Sequence, residues 1–138
     1  MTKRIALLGI GVMAISLAVF ADDEADLGKL PPPADKKDVT YEKDIKPIFE
    51  KSCVKCHSGE KAKAKLYLDS LEGALKGTKE GKVIEPGNST KSLLVLAAGQ
   101  ALKDEDDWMP PPDNKAKIGP LTKEEVSLLR AWIDQGAK

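Results

Sequence analysis

The sequence is poor in the residues that build most metal and catalytic sites. Its 138 residues include one histidine, two cysteines and three methionines, and only 4% of the side chains are aromatic. A structural zinc site needs four nitrogen or sulfur ligands, and one histidine with two cysteines supplies three. With so few large rings, a core made of protein alone would be short of apolar bulk.

The chain also lacks an excess of charge of either sign. Its 22 basic and 22 acidic side chains cancel at neutral pH. Nucleic-acid binding requires a basic stripe or patch, and this balance gives no sign of one. We therefore expect no nucleic-acid partner. Hydrophobic residues at 41% and charged residues at 32% favour one soluble, folded domain over a disordered chain.

A long hydrophobic run is present only at the N-terminus. Lys3 and Arg4 precede 16 uncharged residues, 5–20, and small residues follow at the positions that a signal peptidase reads. The run is shorter than the roughly 20 apolar residues that span a membrane. We expect residues 1–21 to be a cleaved secretory signal, with an uncleaved anchor as the alternative. The mature protein would then be periplasmic or secreted, without stable membrane insertion.

The segment that follows, residues 22–38, is polar and contains three consecutive prolines at 31–33. Consecutive prolines cannot join a helix or a sheet ladder, and they favour an extended polyproline conformation. The sequence therefore predicts a moderately stiff tether here, followed by a domain over residues 39–138.

Helical patterns dominate that domain. Apolar residues at helical spacing from Ile45 to Cys53 predict a short helix, with Asp44 as its N-cap and Pro47 in its first turn. Two shorter helices are predicted to end at Gly77 and Gly99.

The last helix is the clearest. Thr122 and Glu125 have the spacing of a capping box, a broad apolar face follows, and Gly136 is expected to close the helix. Strands at regular spacing are missing from the sequence. We therefore predict a mostly α fold.

Both cysteines and the single histidine fall within five residues, in Cys53-Val54-Lys55-Cys56-His57. Cys-x-x-Cys-His is the attachment sequence of c-type haem. Two cysteines three residues apart on a helical turn share a face, so their sulfurs can reach both vinyl groups of one porphyrin. The adjacent imidazole then serves as the proximal iron ligand. We predict one haem c, covalently bound through Cys53 and Cys56, with its iron held by His57.

Other interpretations explain less of this motif. A thioredoxin-type disulfide fits an exported protein, but strand–helix–strand context is missing and His57 is left unexplained. A bare disulfide and chance co-occurrence are the remaining alternatives.

The sixth iron ligand follows by elimination. A second histidine is lacking, and Met1 and Met13 would leave with the signal. Met109 is then the only thioether, between Trp108 and three prolines that restrict the loop. We predict iron ligation by Met109. The alternatives are a methionine packed in the core near Trp108, with the sixth position vacant, bound by water or bound by a lysine.

Histidine and thioether ligation favours electron transfer over catalysis, because a filled sixth position denies the iron to oxygen or peroxide. We predict an electron-transfer protein that is not an enzyme, with a donor and an acceptor protein as redox partners. One alternative is an electron-entry subunit bound to a dehydrogenase or oxidase, and a second is a haem sensor or peroxidase with an open iron site. The lysines that flank the motif either form an ordinary solvated surface or steer docking to an acidic partner; they are Lys51, Lys55, Lys61, Lys63 and Lys65.

Several sequence blocks appear in an order that resembles the single-haem cytochrome c domains of planctomycetes. The blocks besides the cysteine motif are Ile45-Lys46-Pro47-Ile48, Leu66-Tyr67-Leu68-Asp69, Val83-Ile84-Glu85-Pro86-Gly87-Asn88, Ser92-Leu93-Leu94, Met109-Pro110-Pro111 and Leu129-Arg130-Ala131-Trp132-Ile133-Asp134-Gln135-Gly136-Ala137. The resemblance implies a cytochrome c-like helical fold around one covalent haem, with the first and last helices packed across each other. It also supports Met109 as a ligand. An arginine that the family often places after the Ser-Leu-Leu helix is missing from residues 95–100, so a propionate contact cannot be transferred.

Overall fold

The computed structural model describes residues 25–138. Its α-helices are α1 Lys46–Ser52, α2 Leu71–Lys76, α3 Leu93–Ala98 and α4 Lys123–Asp134. Over the described residues the chain forms no strand, and only two isolated β-bridges occur, between Ala25 and Leu102 and between Thr78 and Gly81. The predicted mostly α fold is confirmed.

The predicted signal peptide, residues 1–21, lies outside the described residues. From residue 25 onward, none of the helices combines the length and the apolar character needed to cross a membrane.

The start of the first helix differs from the prediction. A π-helical turn, Tyr41–Ile45, precedes α1 and runs directly into it, and Thr40 is its N-cap. The Thr40 side chain accepts a hydrogen bond from the Lys43 amide at 3.4 Å. The Thr40 amide in turn donates to Asp44 Oδ2 at 2.9 Å. Asp44 therefore closes a reciprocal cap four residues after Thr40, and its predicted role as the N-cap of α1 is wrong.

The capping box of α4 is present as predicted. The Glu125 amide donates to Thr122 Oγ1 at 3.2 Å, and the Thr122 amide donates to Glu125 Oε2 at 2.9 Å. These bonds satisfy two of the amide groups that a helix start leaves without a partner. Gly136, at a φ of 104°, follows the end of the helix because a residue with a Cβ would be strained there.

Three aromatic rings join the first and last helical segments. Tyr41, Phe49 and Trp132 are at most 1% exposed, and their ring centroids lie 6.1 to 6.3 Å apart. Each such pair contributes about 0.5–1.5 kcal/mol beyond the burial of its area. The cluster packs α1 against α4, which is the arrangement that the resemblance implied.

The turn before α3 is attached to α4 by a buried polar network. Ser89 is 1% exposed, and its amide and hydroxyl donate to the two carboxylate oxygens of Asp134 at 2.7 and 3.0 Å. Arg130 Nε donates to the Ser89 hydroxyl at 3.1 Å. Arg130 and Asp134 fall within the last of the sequence blocks listed above, and their contacts with Ser89 assign them a structural role.

The described part of the predicted tether, residues 25–38, is packed against the domain. The Ala34 amide donates to the Ser127 carbonyl at 2.9 Å, and the side chain of Gln135 donates to the Lys36 carbonyl at 2.8 Å. The prolines at 31–33 lie outside any helix, but their carbonyl groups can still accept hydrogen bonds. The tether prediction is corrected for these residues, because the segment lies along α4 instead of forming a free linker.

Candidate functional site

The cysteine motif folds as a tight turn at the end of α1. The Cys53 amide donates to the Phe49 carbonyl at 2.7 Å, and the amides of Cys56 and His57 both donate to the Cys53 carbonyl, at 3.1 and 3.0 Å. Cys53 and Cys56 do not form a disulfide, and both are half-buried. The turn therefore places two thiols and one imidazole on a short, hydrogen-bonded piece of backbone.

Cys53 packs against the hydrophobic core. Burial, with smaller contributions from Cys56 and the Glu125 carboxylate, raises the pKa of the Cys53 thiol to about 12. A redox-active Cys-x-x-Cys pair works through a thiolate whose pKa is lowered. The raised pKa of Cys53 therefore argues against the thioredoxin-type interpretation.

The His57 ring contacts the backbone carbonyl of Lys63. Its Nδ1 atom lies 3.2 Å from the Lys63 carbonyl oxygen. Because a carbonyl only accepts, Nδ1 is the donor in this contact and Nε2 is left with a lone pair. Burial lowers the pKa of His57, although the contact with Lys63 partly opposes it. The ring is therefore neutral at neutral pH, which is the form that binds a metal ion.

The chain after His57 folds back to fix the histidine. The Lys63 amide donates to the Cys56 carbonyl at 2.9 Å, and the Leu68 amide donates to the His57 carbonyl at 2.8 Å. Leu68 is 3% exposed, and its carbonyl accepts from the Tyr41 hydroxyl at 3.0 Å. Residues 53–68, which we call the proximal segment, are thereby tied to the aromatic cluster of the core.

Met109 lies on a different part of the chain, in residues 102–120, which we call the methionine loop. Its side chain is 38% exposed. Its amide donates to the Ala97 carbonyl of α3 at 3.1 Å, and the preceding Trp108 donates through Nε1 to the Leu102 carbonyl at 2.8 Å. The structure thus brings Cys53, Cys56 and His57 together in one turn and holds Met109 on a separate loop. Ligation by Met109 stays a prediction.

Asn114 organises the far end of the methionine loop. Its side-chain amide donates to the carbonyls of Pro111 and Ile118, at 2.9 and 2.8 Å, and its Oδ1 atom accepts from the Ile118 amide at 2.8 Å. Sequence reasoning did not identify this residue. Its signal was an asparagine shortly after a proline run, which is typical of turns closed by a side chain.

Some of the charged side chains near the motif and the methionine loop form contacts within the chain. Lys51, one of the five flanking lysines, forms an ion pair with Glu125 of α4. The acidic residues Glu105–Asp107 form an exposed 3₁₀ turn, and Asp104 caps it by accepting from the Asp106 amide at 2.9 Å. Across residues 25–138 there is no group of three or more His, Cys, Asp or Glu side chains arranged to hold a metal ion.

A known family model matches part of the chain. The model described as planctomycete cytochrome C matches residues 53–113, from the first cysteine of the motif to just beyond the prolines that follow Met109. No curated protein and no solved structure matches the chain significantly. Cytochrome c domains bind haem c with its iron for electron transfer, and Cys53 and Cys56 have the spacing for covalent attachment. This match confirms the resemblance to that family over residues 53–113.

Proposed function

We propose that this protein is an exported electron carrier with a single haem c, attached through Cys53 and Cys56 and ligated by His57 and Met109. The geometry of His57 carries the proposal. Its Nδ1 atom is occupied by the Lys63 carbonyl, so Nε2 is available for iron on the same turn that presents two free thiols.

The donor set suits a haem group. Two thiols can each add to a vinyl group to form a thioether, and a neutral imidazole can take one axial position of the iron. The bound haem would supply a reversible one-electron change at its iron. The protein residues attach and orient it, and the Lys63 carbonyl keeps the imidazole in a single tautomer and orientation.

Met109 is proposed as the second axial ligand for two reasons. It is the only methionine after residue 13, and its backbone is fixed to α3 through the Ala97 carbonyl. A thioether ligand raises the reduction potential relative to a second imidazole. Because both axial positions would be filled, we propose electron transfer as the function instead of catalysis at the iron.

The proposed location is the periplasm or the extracellular space, where cytochrome c domains are typically found. Residues 1–21 have the pattern of a secretory signal. Sequencing the N-terminus of the protein from the extracytoplasmic fraction should therefore give Asp22 as the first residue. Recovery of a membrane-bound protein that begins at Met1 would support the uncleaved anchor instead.

Optical spectroscopy of the haem-loaded protein tests the axial ligands. We expect one covalent haem per chain, a low-spin six-coordinate ferric spectrum, and the weak long-wavelength charge-transfer band of thioether–iron ligation. Met109→Ala should lose this band and keep the covalent haem. Leu93→Ala is the matched control, because Leu93 is also exposed, at 49%, but lies on α3. A Met109→Ala spectrum identical to that of the unmodified protein would reject ligation by Met109.

A further inference from the structure

A segment that precedes α1 pairs with the backbone that leads from α3 to Met109. The Asp26 amide donates to the Ala101 carbonyl at 2.7 Å, and Ala25 forms an antiparallel bridge with Leu102. We call residues 25–31 the strap. The strap therefore pairs with the backbone where α3 ends and the methionine loop begins.

Leu30 anchors the strap in a closely packed notch. Its side chain is 9% exposed. A Cβ atom placed on Gly99, just after α3, would lie 2.4 Å from Leu30 Cδ2 and 3.5 Å from Val126 Cγ1 of α4. Glycine at position 99 thus leaves the space that Leu30 fills. Leu30 is wedged between the end of α3 and the side of α4.

A second contact reaches the residue next to Met109. Lys29 Nζ lies 5.3 Å from the centroid of the Trp108 ring, within the range of a cation–π interaction. Trp108 is itself fixed through Nε1 to Leu102, the residue that pairs with the strap. Lys29 and Trp108 also line a cavity of about 380 Å³ between the strap, the end of α3 and the start of α4.

The other end of the strap is attached to α4. Arg130 donates through Nη1 to the Pro31 carbonyl, and the Ala34 amide, just beyond the strap, donates to the Ser127 carbonyl at 2.9 Å. Arg130 also contacts Ser89, so it is held from two sides. The strap therefore connects α4 to the loop that carries Met109.

We propose that the strap positions Met109 for binding to the haem iron, with Leu30, Lys29 and Trp108 as positioning residues. This inference rests on the proposed ligation by Met109. The strap fixes the start of the methionine loop against α4, so a loosened strap lets the loop spend more time away from the ligated position. A weaker internal ligand is more easily displaced by an added one.

Competition with imidazole measures this effect in the full-length, haem-loaded protein. Leu30→Ala removes the anchor, and Leu27→Ala is the matched control, because Leu27 lies in the same strap but is 50% exposed. We expect Leu30→Ala to bind imidazole about tenfold more tightly and to lose the thioether band at a correspondingly lower imidazole concentration. Leu27→Ala should match the unmodified protein.

Two further variants separate positioning from general destabilisation. Lys29→Gln alters an exposed side chain, so it should fold normally and raise the apparent imidazole affinity about twofold to threefold. Ile133→Val changes a fully buried residue of α4 that is not part of the strap contacts described above. It should lower thermal stability without changing the affinity for imidazole.

The outcomes distinguish the two proposals. If Met109→Ala leaves the ferric spectrum unchanged, the ligation proposal fails and the strap inference fails with it. If Met109→Ala removes the thioether band while Leu30→Ala and Lys29→Gln behave like Leu27→Ala, only the strap inference is overturned. An Ile133→Val variant that gains as much imidazole affinity as Leu30→Ala would also overturn it.

Discussion

The proximal segment and the methionine loop differ in how they are held. The proximal segment closes on itself through the Lys63 and Leu68 amides and is tied to the core through Leu68 and Tyr41. The methionine loop is stabilised mainly by its own contacts around Asn114, and it reaches the rest of the chain through the Met109 amide and the strap. The proximal segment is thus held to the buried core, and the methionine loop is held by its own contacts, the Met109 amide and the strap.

The burial of the key residues shows the same contrast. Cys53 packs against the core and Leu68 is 3% exposed, whereas Met109 is 38% exposed. A ligand held by the core needs little rearrangement on haem binding, because its position is already set. The methionine side is therefore the part of the site that mutation should alter most easily without loss of the fold.

The largest effect should come from the two thiols. Replacing both, as Cys53→Ala with Cys56→Ala, removes both thioether bonds, so haem should no longer stay on the chain after denaturation. Haem staining of a denaturing gel and the mass of the intact chain measure this. Met109→Ala is the control that should keep the covalent haem. Haem retained by the double variant under denaturing conditions would contradict attachment at this motif.

The next effect compares an aromatic residue of the core cluster, to which the proximal segment is tied, with one of the methionine loop. Phe49→Ala removes a ring that is 1% exposed and should cost about 3–5 kcal/mol of unfolding free energy. Trp108→Ala removes a half-buried ring with one hydrogen bond and one cation–π contact, and should cost about 1–2 kcal/mol. Urea unfolding of the haem-loaded proteins gives both values. Equal losses of unfolding free energy in the two variants would show that the aromatic cluster and the methionine loop are held equally firmly.

A smaller, local effect is expected at Asn114. Asn114→Ala removes the acceptor of the Ile118 amide, so that amide should exchange with solvent hydrogen about tenfold faster. Asn114→Asp keeps an oxygen in the same place and should leave the Ile118 amide protected. Exchange followed by NMR separates the two variants. The same exchange rate in both would mean that the side chain does not hold the loop.

The smallest effect concerns pH and the ion pair that links α1 to α4. Burial tends to raise the pKa of Glu125, but hydrogen bonds from Lys51 and the Thr122 amide outweigh it and hold the pKa below its usual value. Such a carboxylate stabilises the fold above its unfolded pKa, about 4.3, and this stabilisation is lost as the pH falls through the lower folded value.

Glu125→Gln keeps an oxygen acceptor for the capping box and removes the titration. Its unfolding free energy should therefore fall less steeply than that of the unmodified protein as the solution is acidified below about pH 4.3. Urea unfolding at a series of pH values measures the slope. Parallel slopes in the two proteins would contradict the shifted pKa of Glu125.

The parts of this fold that could be predicted from sequence are those fixed by neighbours in the chain. The capping box of Thr122 and Glu125 spans three residues and is present as expected. The haem motif spans five residues and folds as one turn. The cap at Asp44 was wrong because a five-residue π-helical turn, Tyr41–Ile45, precedes α1 and moves the cap to Thr40.

The parts that sequence reasoning missed depend on residues far apart in the chain. The network of Ser89 with Asp134 joins positions 45 residues apart, and the Pro31 carbonyl accepts from a side chain 99 residues away. The three consecutive prolines suggested a tether because they exclude a helix and a sheet ladder. Composition does not show which part of the fold such a segment packs against. Likewise, a backbone carbonyl partner was expected for His57. Only the fold, in which the chain turns back after the motif, identifies that carbonyl as the one of Lys63.

We propose that His57 and Met109 would both bind the haem iron, and the reduction potential tests this ligation most directly. Met109→His replaces the thioether with a second imidazole, which stabilises the ferric iron more than a thioether does. The haem-loaded variant should therefore have a potential lower than that of the unmodified protein by on the order of 0.1 V or more. An unchanged potential, with covalent haem intact in both proteins, would show that Met109 does not bind the iron.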